Sequence, residues 1–278
     1  MCQNGYLDEV FGIDGEVAVI TGGGGVLCGS MAKALGELGV KVAVLDIAED
    51  AAKAVAAEIT DDGGKAAAYK ADVLDRKNLE AVRKAVEEDL GPIDILVNGA
   101  GGNSPKATTS DKMSFFDLPK EGFEWVFALN FLGTLLPTQV FAKGMADRGR
   151  GSIVNISSMN ALRPLTRIPA YSAAKAAVTN FTQWLAVHIN QNYSKKIRVN
   201  AVAPGFFVTA QNKFLLIDEK TGDLTPRGKT IIDHTPMGRF GVPEDLVTTL
   251  LWLLAKGSSL INGTVIPVDG GFSAFSGV

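Results

Sequence analysis

The chain is poor in the two residue types that most often build metal and redox sites. Its 278 residues include only two cysteines, Cys2 and Cys28, and two histidines, His188 and His234. Two cysteines cannot make a disulfide framework, and no cysteine cluster accompanies the histidines, so no metal site is expected. Cys2, Gln3, Asn4 and Gly5 do not read as a secretory leader, and a cytoplasmic location is expected. A basic block is also missing. With a net charge of −3, a nucleic-acid partner is not expected. No apolar run reaches the length of a membrane span, so none is expected in a membrane.

What is present is a globular composition, 46% apolar and 21% charged, enough for a full core. Apolar runs alternate with helical segments. The runs at 16–21, 41–46, 65–73, 94–101, 151–158, 197–205 and 263–271 read as strands, most of them without polar alternation. Such strands, separated by helical patterns, predict a parallel sheet covered on both faces. The expected fold is α/β: a single Rossmann-type doubly wound sheet with helices on both faces, whose ligands sit at the carboxyl ends of the strands. Residues 1–278 read as one domain. Residues 206–240 lack a clear strand and are rich in turn and charged residues, which fits either a substrate-side lid or a plain surface excursion.

The stretch "ITGGGGVLCGS" (20–30) follows the first strand and opens a helix. Glycines there let the backbone approach a pyrophosphate, and the helix start supplies free N–H groups. Thr21, Gly22, Gly24, Gly25, Val26 and Leu27 are therefore candidate cofactor contacts. Asp46 ends the second strand about 20 residues on, where an acidic residue accepts the ribose hydroxyls and repels a 2′-phosphate. Its neighbours Leu45 and Ile47 carry no positive charge, so NAD (NADH) is expected rather than NADP. Asp72 and Val73 could reach the adenine, and Asn98, Gly99 and Ala100 border the cofactor after the fourth strand.

Tyr171 and Lys175 lie four apart on a predicted helix and share a face. A chance Tyr-x-x-x-Lys is common, but the chemistry is useful. A free phenol has a pKa of about 10, and a nearby ammonium lowers it toward that of a working acid/base. Ser158, at a strand end, could bond the same substrate oxygen.

With Thr21-Gly22, Asp46, Asp72-Val73, "NGAG" (98–101), Asn130, Ser158, "YSAAK" (171–175), "RVNAVAPG" (198–205), Thr209 and "VDGG" (268–271), the chain resembles the short-chain dehydrogenase/reductase family over nearly its whole length. The resemblance implies Tyr171 as general acid/base, and the Ser158-to-Tyr171 gap selects Ser158 over Ser157 to orient the substrate oxygen. It implies Lys175 on the nicotinamide ribose, lowering the Tyr171 pKa, and Asn130 supporting a water that links Lys175 to solvent. Pro204, Gly205 and Thr209 would contact the nicotinamide end, with Tyr171 and Lys175. In one respect the chain departs from the family: Val26 and Cys28 stand where the pattern T-G-x-x-x-G-x-G has its later glycines.

"MNALRPLTRIPAYSAAKAAVTNFTQWLAVH" (159–188), "APGFFVTAQN" (203–212) and "HTPMGRFG" (234–241) resemble the sugar-acid branch of that family, which interconverts D-fructuronate and D-mannonate. A small sugar-acid substrate is implied. Asn103, Lys106, Asn160, Arg163, Arg167, Gln211 and Asn212 are candidates to bind it. At least one of Lys106, Arg163 and Arg167 is expected to clamp the carboxylate, although for any single one a solvated surface charge is the better reading. Another keto-sugar acid, a 3-oxoacyl thioester, or a silent NAD sensor are the competing readings. The helical stretches 122–149 and 170–190 carry more apolar residues than one face needs. They imply either a thick core or, by the resemblance, a homotetramer.

Overall fold

In the computed structural model, which describes residues 5–209 and 212–277, each apolar run becomes a strand of one sheet. The strands are β1 (Val17–Thr21), β2 (Lys41–Asp46), β3 (Lys65–Lys70), β4 (Ile95–Asn98), β5 (Gly151–Ile156), β6 (Ile197–Pro204) and β7 (Val265–Val268). Their order is β3-β2-β1-β4-β5-β6-β7, with every neighbouring pair parallel. The order reverses between β1 and β4, which opens a crevice at their carboxyl ends. There Thr21 of β1 stands in register with Asn98 of β4.

Parallel strands need crossovers, and helices supply them. They are α1 (Gly5–Phe11), α2 (Val26–Glu37), α3 (Glu49–Asp61), α4 (Arg76–Asp89), α5 (Lys120–Phe127), α6 (Gly133–Arg148), α7 (Pro169–Asn192), α8 (Lys213–Leu216), α9 (Pro226–Asp233) and α10 (Glu244–Leu254). Successive strand residues point to opposite faces, so β1 feeds two cores. Ala18 and Ile20 pack with Met31 and Leu35 of α2 and Leu250 of α10. Val17 and Val19 pack on the other face with Leu79 of α4, Phe141 of α6 and Leu185 of α7. Burying each larger side chain of this kind contributes about 1.5–3 kcal/mol.

The predicted helix 122–149 is broken. Residues Ala128–Leu132 form a π turn between α5 and α6, with Asn130 at its centre. The Asn130 amide nitrogen donates to Val126 O at 2.7 Å, taking a carbonyl from the regular ladder. Widened turns of this kind recur at functional sites. By length and composition alone the span Lys120–Arg148 could cross a membrane, which corrects only the expectation that no apolar run reaches that length. Half of its most apolar window is buried inside the fold, against the sheet. The described part of 206–240 includes α8 and α9, linked by a bridge between Ile217 and Leu224.

Candidate active site

Backbone builds the first part of the site. Gly22 has φ +66, and a Cβ on it would stand 2.9 Å from Ala100 Cα, so the β1 and β4 loops meet only because this residue is glycine. Thr21 Oγ1 locks the contact by accepting from the N–H groups of Gly99 and Ala100 at 3.1 and 3.2 Å. Gly25 is the N-cap residue of α2 and offers no side chain, leaving the first N–H groups of a 12-residue helix without a side-chain cap. Val26 is the first helical residue and is exposed, whereas the Leu27 side chain packs on the core. The Leu27 backbone N–H at the helix start faces the same end as Val26 N–H. Asp46 braces the loop. Its Oδ2 accepts from Gly24 N at 3.1 Å and its Oδ1 from Ala48 N at 3.0 Å, and each oxygen keeps a free lone pair.

Burial narrows two of the expected contacts on this side. Asn98 is buried, and its amide nitrogen donates to Thr138 Oγ1 and Asn155 Oδ1. It ties β4 to α6 and β5 and offers a ligand no exposed side-chain atom. Asp72 Oδ1 accepts from Leu74 N, while Val73 is buried. The pair shapes the turn into α4, and the half-buried Asp72 carboxylate and the Val73 backbone remain for an adenine-side contact.

Side chains build the second part. Ser158 lies two residues beyond the end of β5, and its Oγ accepts from Asn160 N at 3.2 Å. Neighbouring Ser157 bonds Thr179 Oγ1 at 2.7 Å, so its hydroxyl already serves α7. Tyr171 and Lys175 share a face of α7, with Lys175 Nζ 5.7 Å from the Tyr171 ring centre. Lys175 is buried and donates one bond to Ile156 O at 2.8 Å, leaving two donors. Asn130 is held from both ends: it donates to Gly102 O and accepts from Gly102 N.

Gly101, the last residue of "NGAG", joins these groups. A Cβ there would stand 2.7 Å from Asn130 Oδ1 and 3.3 Å from Lys175 Nζ. Its signal was present in "NGAG", but nothing in the chain order showed what the missing side chain makes room for.

The proton affinities differ from expectation. Burial pushes the Tyr171 phenol above its ordinary value, and the hydrogen bond with Ser158 partly draws it back. Burial brings the Lys175 ammonium down to about 8, opposed by the Cys28 thiol. Cys28 itself is pushed up to about 12 by burial. It is a packing residue: a Cβ on Gly99 would stand 2.1 Å from its sulfur.

The polar residues expected to hold substrate separate into groups. Asn160 is buried beside Ser158, and its Oδ1 has no partner among the described residues. Arg167 lines the cavity beside Asn160 and also a second, larger one. Arg163 does not join it, since its Nε donates to Ser273 O and anchors the C-terminal segment. Lys106 is exposed on a short turn, and Asn103 is tied to Thr108. Asn212 is also spent, accepting from Thr209 N and donating to Phe207 O, so it holds Thr209 in place. Gln211 lies outside the described residues. Pro204 ends β6 and Gly205 follows it, its N–H donating to Val268 O.

A model of the short chain dehydrogenases matches residues 16–220 of this chain. The chain belongs to the short-chain dehydrogenase family. Across 96% of both chains it is 52% identical to an oxidoreductase of Haemophilus influenzae whose activity is uncharacterized. A Haemophilus crystal structure that carries the provisional name D-mannonate oxidoreductase, with bound NAD, matches with a TM-score of 0.90 at 52% identity, over 96% of this chain and 98% of that one. The 5-keto-D-gluconate 5-reductase of Escherichia coli is 30% identical over 95% of this chain and 98% of that protein.

A family member holds a dinucleotide where glycine backbone, a bare helix start and an acidic strand end converge. All three are present here: Gly22 to Gly25, the N-terminus of α2, and Asp46. The shifted glycines of "GGGGVLC" leave this cradle intact. Val26 turns outward, and Cys28 fills the space beneath Gly99.

Proposed function

We propose that this short-chain dehydrogenase is an NAD(H)-dependent oxidoreductase of sugar acids that interconverts D-fructuronate and D-mannonate. The observation that carries the reading is the set of groups at one end of the sheet. Ser158, Tyr171, Lys175 and Asn130 are positioned for proton transfer, with the unpartnered Asn160 carbonyl and a cationic loop beside them. The 52% identical structure bearing a D-mannonate oxidoreductase name supports the substrate.

NAD(H), when bound, supplies or takes the hydride. Gly22, Gly24, Gly25 and the N–H groups of Val26 and Leu27 would hold its pyrophosphate, with Thr21, Gly99 and Ala100 shaping that loop. Asp46 would hold the adenosine ribose, Asp72 the adenine side, and Lys175 the nicotinamide ribose. Pro204, Gly205 and Thr209 would flank the nicotinamide. In reduction, Tyr171 Oη gives its proton to the ketone oxygen while the Ser158 hydroxyl bonds that same oxygen. In oxidation, Tyr171 receives the proton of the alcohol. A phenol held high by burial is in its donating form at neutral pH, which suits reduction. Oxidation needs the phenolate, so its kcat/KM is expected to climb with pH through the alkaline range.

Exposed Trp125 and Phe127 on α5, and Trp184 and Val187 on α7, support a homotetramer, which a solution mass measures. The α8–α9 segment is read as the substrate-side lid.

A screen of uronates, aldonates and neutral ketoses with NADH or NAD tests the function. D-fructuronate and D-mannonate are expected to stand far above the rest. A preference for 5-keto-D-gluconate would transfer the reading to the activity named for the Escherichia coli relative. Tyr171→Phe is expected to lower turnover roughly 10²–10⁴-fold with NADH still bound. Undiminished turnover would remove Tyr171 from the mechanism.

A further inference from the structure

We propose that Arg167 and Arg227 form a paired carboxylate clamp, in the cavity between the loop that runs into Tyr171 and the segment that leaves Gly205. The clamp deepens the sugar-acid reading and rests on it for the identity of the natural ligand. Both arginines line a cavity of about 710 Å³ whose walls include Leu165, Phe206, Phe214 and Phe272 and, among the described residues, no acidic one.

Neither guanidinium has a hydrogen bond or ion pair among the described residues. Elsewhere the arginines are used: Arg76, Arg83 and Arg239 each meet a carboxylate. Arg198 donates to backbone carbonyls at the end of α10. Two unpaired cations sharing one cavity repel each other. The Arg227 guanidinium is correspondingly held below its ordinary range, first by burial and then by the Arg167 charge.

The backbone makes the placement costlier still. Arg227 is the second residue of α9, whose start is capped by Thr225 Oγ1. A helix start carries positive partial charge and disfavours a cation. Arg167 is the one non-glycine among the described residues with φ in the left-handed region, at +75. It is held there by Thr109 N, which donates to its carbonyl at 2.8 Å. Strain of this kind persists where a site requires it. Like charge, helix polarity and left-handed backbone all oppose this arrangement in the free protein. An anion between the two guanidiniums relieves the first two, and a carboxylate matches their planar donor geometry.

The position of Arg227 explains why chain order hid it. It lies 60 residues beyond Arg167, and only the fold of α8 and α9 brings the two together.

The test is thermal stability of the NAD-bound protein with D-mannonate, D-gluconate or uncharged D-mannitol, for wild type, Arg227→Met and Arg167→Met/Arg227→Met. Both carboxylates are expected to raise the Tm of the wild type, D-mannitol to leave it, and the double variant to lose the response. Without ligand, Arg227→Met is expected to melt at or above the wild-type temperature, because a repulsion has been removed. A merely structural arginine would lower it. Arg227→Met is also expected to raise KM for the acid substrate roughly tenfold or more, with Arg227→Lys recovering only part. Carboxylates that stabilise the double variant as well as the wild type, or stabilise neither, overturn the clamp. The stability arms need no turnover, so a failed substrate screen would overturn the sugar-acid reading and leave the clamp to be decided by them.

Discussion

The two ends of the active-site crevice are built from different materials. At the cofactor end, the frame is mostly backbone, Gly22 against Ala100 and an uncapped α2 start, with the Thr21 hydroxyl and the Asp46 carboxylate as its side-chain braces. At the substrate end, the groups are side chains from four separated segments, Asn130, Ser158 with Asn160, Tyr171 with Lys175, and Arg227. They are carried on a π turn, a strand end and two helices. Backbone donors lie at fixed places once the fold forms and carry no titratable charge. Side chains bring charge and reach, and each must be desolvated, oriented or repelled into place. The cofactor end can therefore tolerate changes of residue that preserve its path. The substrate end depends on particular groups.

The sharpest way to break this contrast is at Gly101, where the two materials meet. Gly101→Ala puts a Cβ 2.7 Å from Asn130 Oδ1, and Asn130 is tied on both sides and cannot yield freely. A displacement near 1 Å is expected to lower kcat/KM about 10²-fold, measured alongside an unchanged fold by circular dichroism. Wild-type turnover in this variant would show that the Asn130–Lys175 arrangement has slack.

A smaller effect separates the ends by pH. The folded-state pKa of Lys175 is lowered to about 8 by burial, below its ordinary 10.5. Below about 8 the ammonium is buried at its full cost. As pH rises from about 8 toward 10.5, the unfolded chain binds the proton more than the folded one does, and this group's contribution to stability rises. Urea denaturation of wild type and Lys175→Met is expected to show the wild type gaining on the variant across that window. Parallel curves would mean that the ammonium is not desolvated.

The smallest effect belongs to the cofactor end. Cys28→Gly restores the family's usual glycine and removes a thiol whose sulfur lies under Gly99. Stability is expected to fall by about 1–2 kcal/mol, from added helix entropy and lost packing. NADH affinity, read by fluorescence titration, is expected to stay within a few-fold. A large loss would show that the packing beneath Gly99 sets the loop.

How much could be read in advance follows the same division. Strand runs such as "VAVIT" and "KVAVLD" carry their period and burial in the chain itself, and β1 and β2 formed within a residue of the expected bounds. Tyr171 and Lys175 share a face by spacing, because a helix puts i and i+4 together whatever surrounds it, while Ser158 and the roles of all three came from the resemblance to the family. The break at Ala128–Leu132 was not legible. It depends on the Asn130 amide competing for Val126 O while Gly102, 28 residues earlier, holds the same side chain. Arg163 and Arg167 looked alike in the chain. Only the C-terminal segment, by offering Ser273 O, took Arg163 away from the site.

The sequence by itself determined the strand and helix alternation, the glycine cradle, the acidic strand end and the Ser-Tyr-Lys spacing, because each is a local pattern of period, charge or missing side chain. Only the tertiary structure decided the rest: that Asn98 faces inward, that Gly101 makes room for Asn130 and Lys175, that burial raises the Tyr171 phenol, and that Arg227 joins Arg167. Desolvation and like-charge repulsion depend on which distant segments close over a group, and chain order does not carry that information.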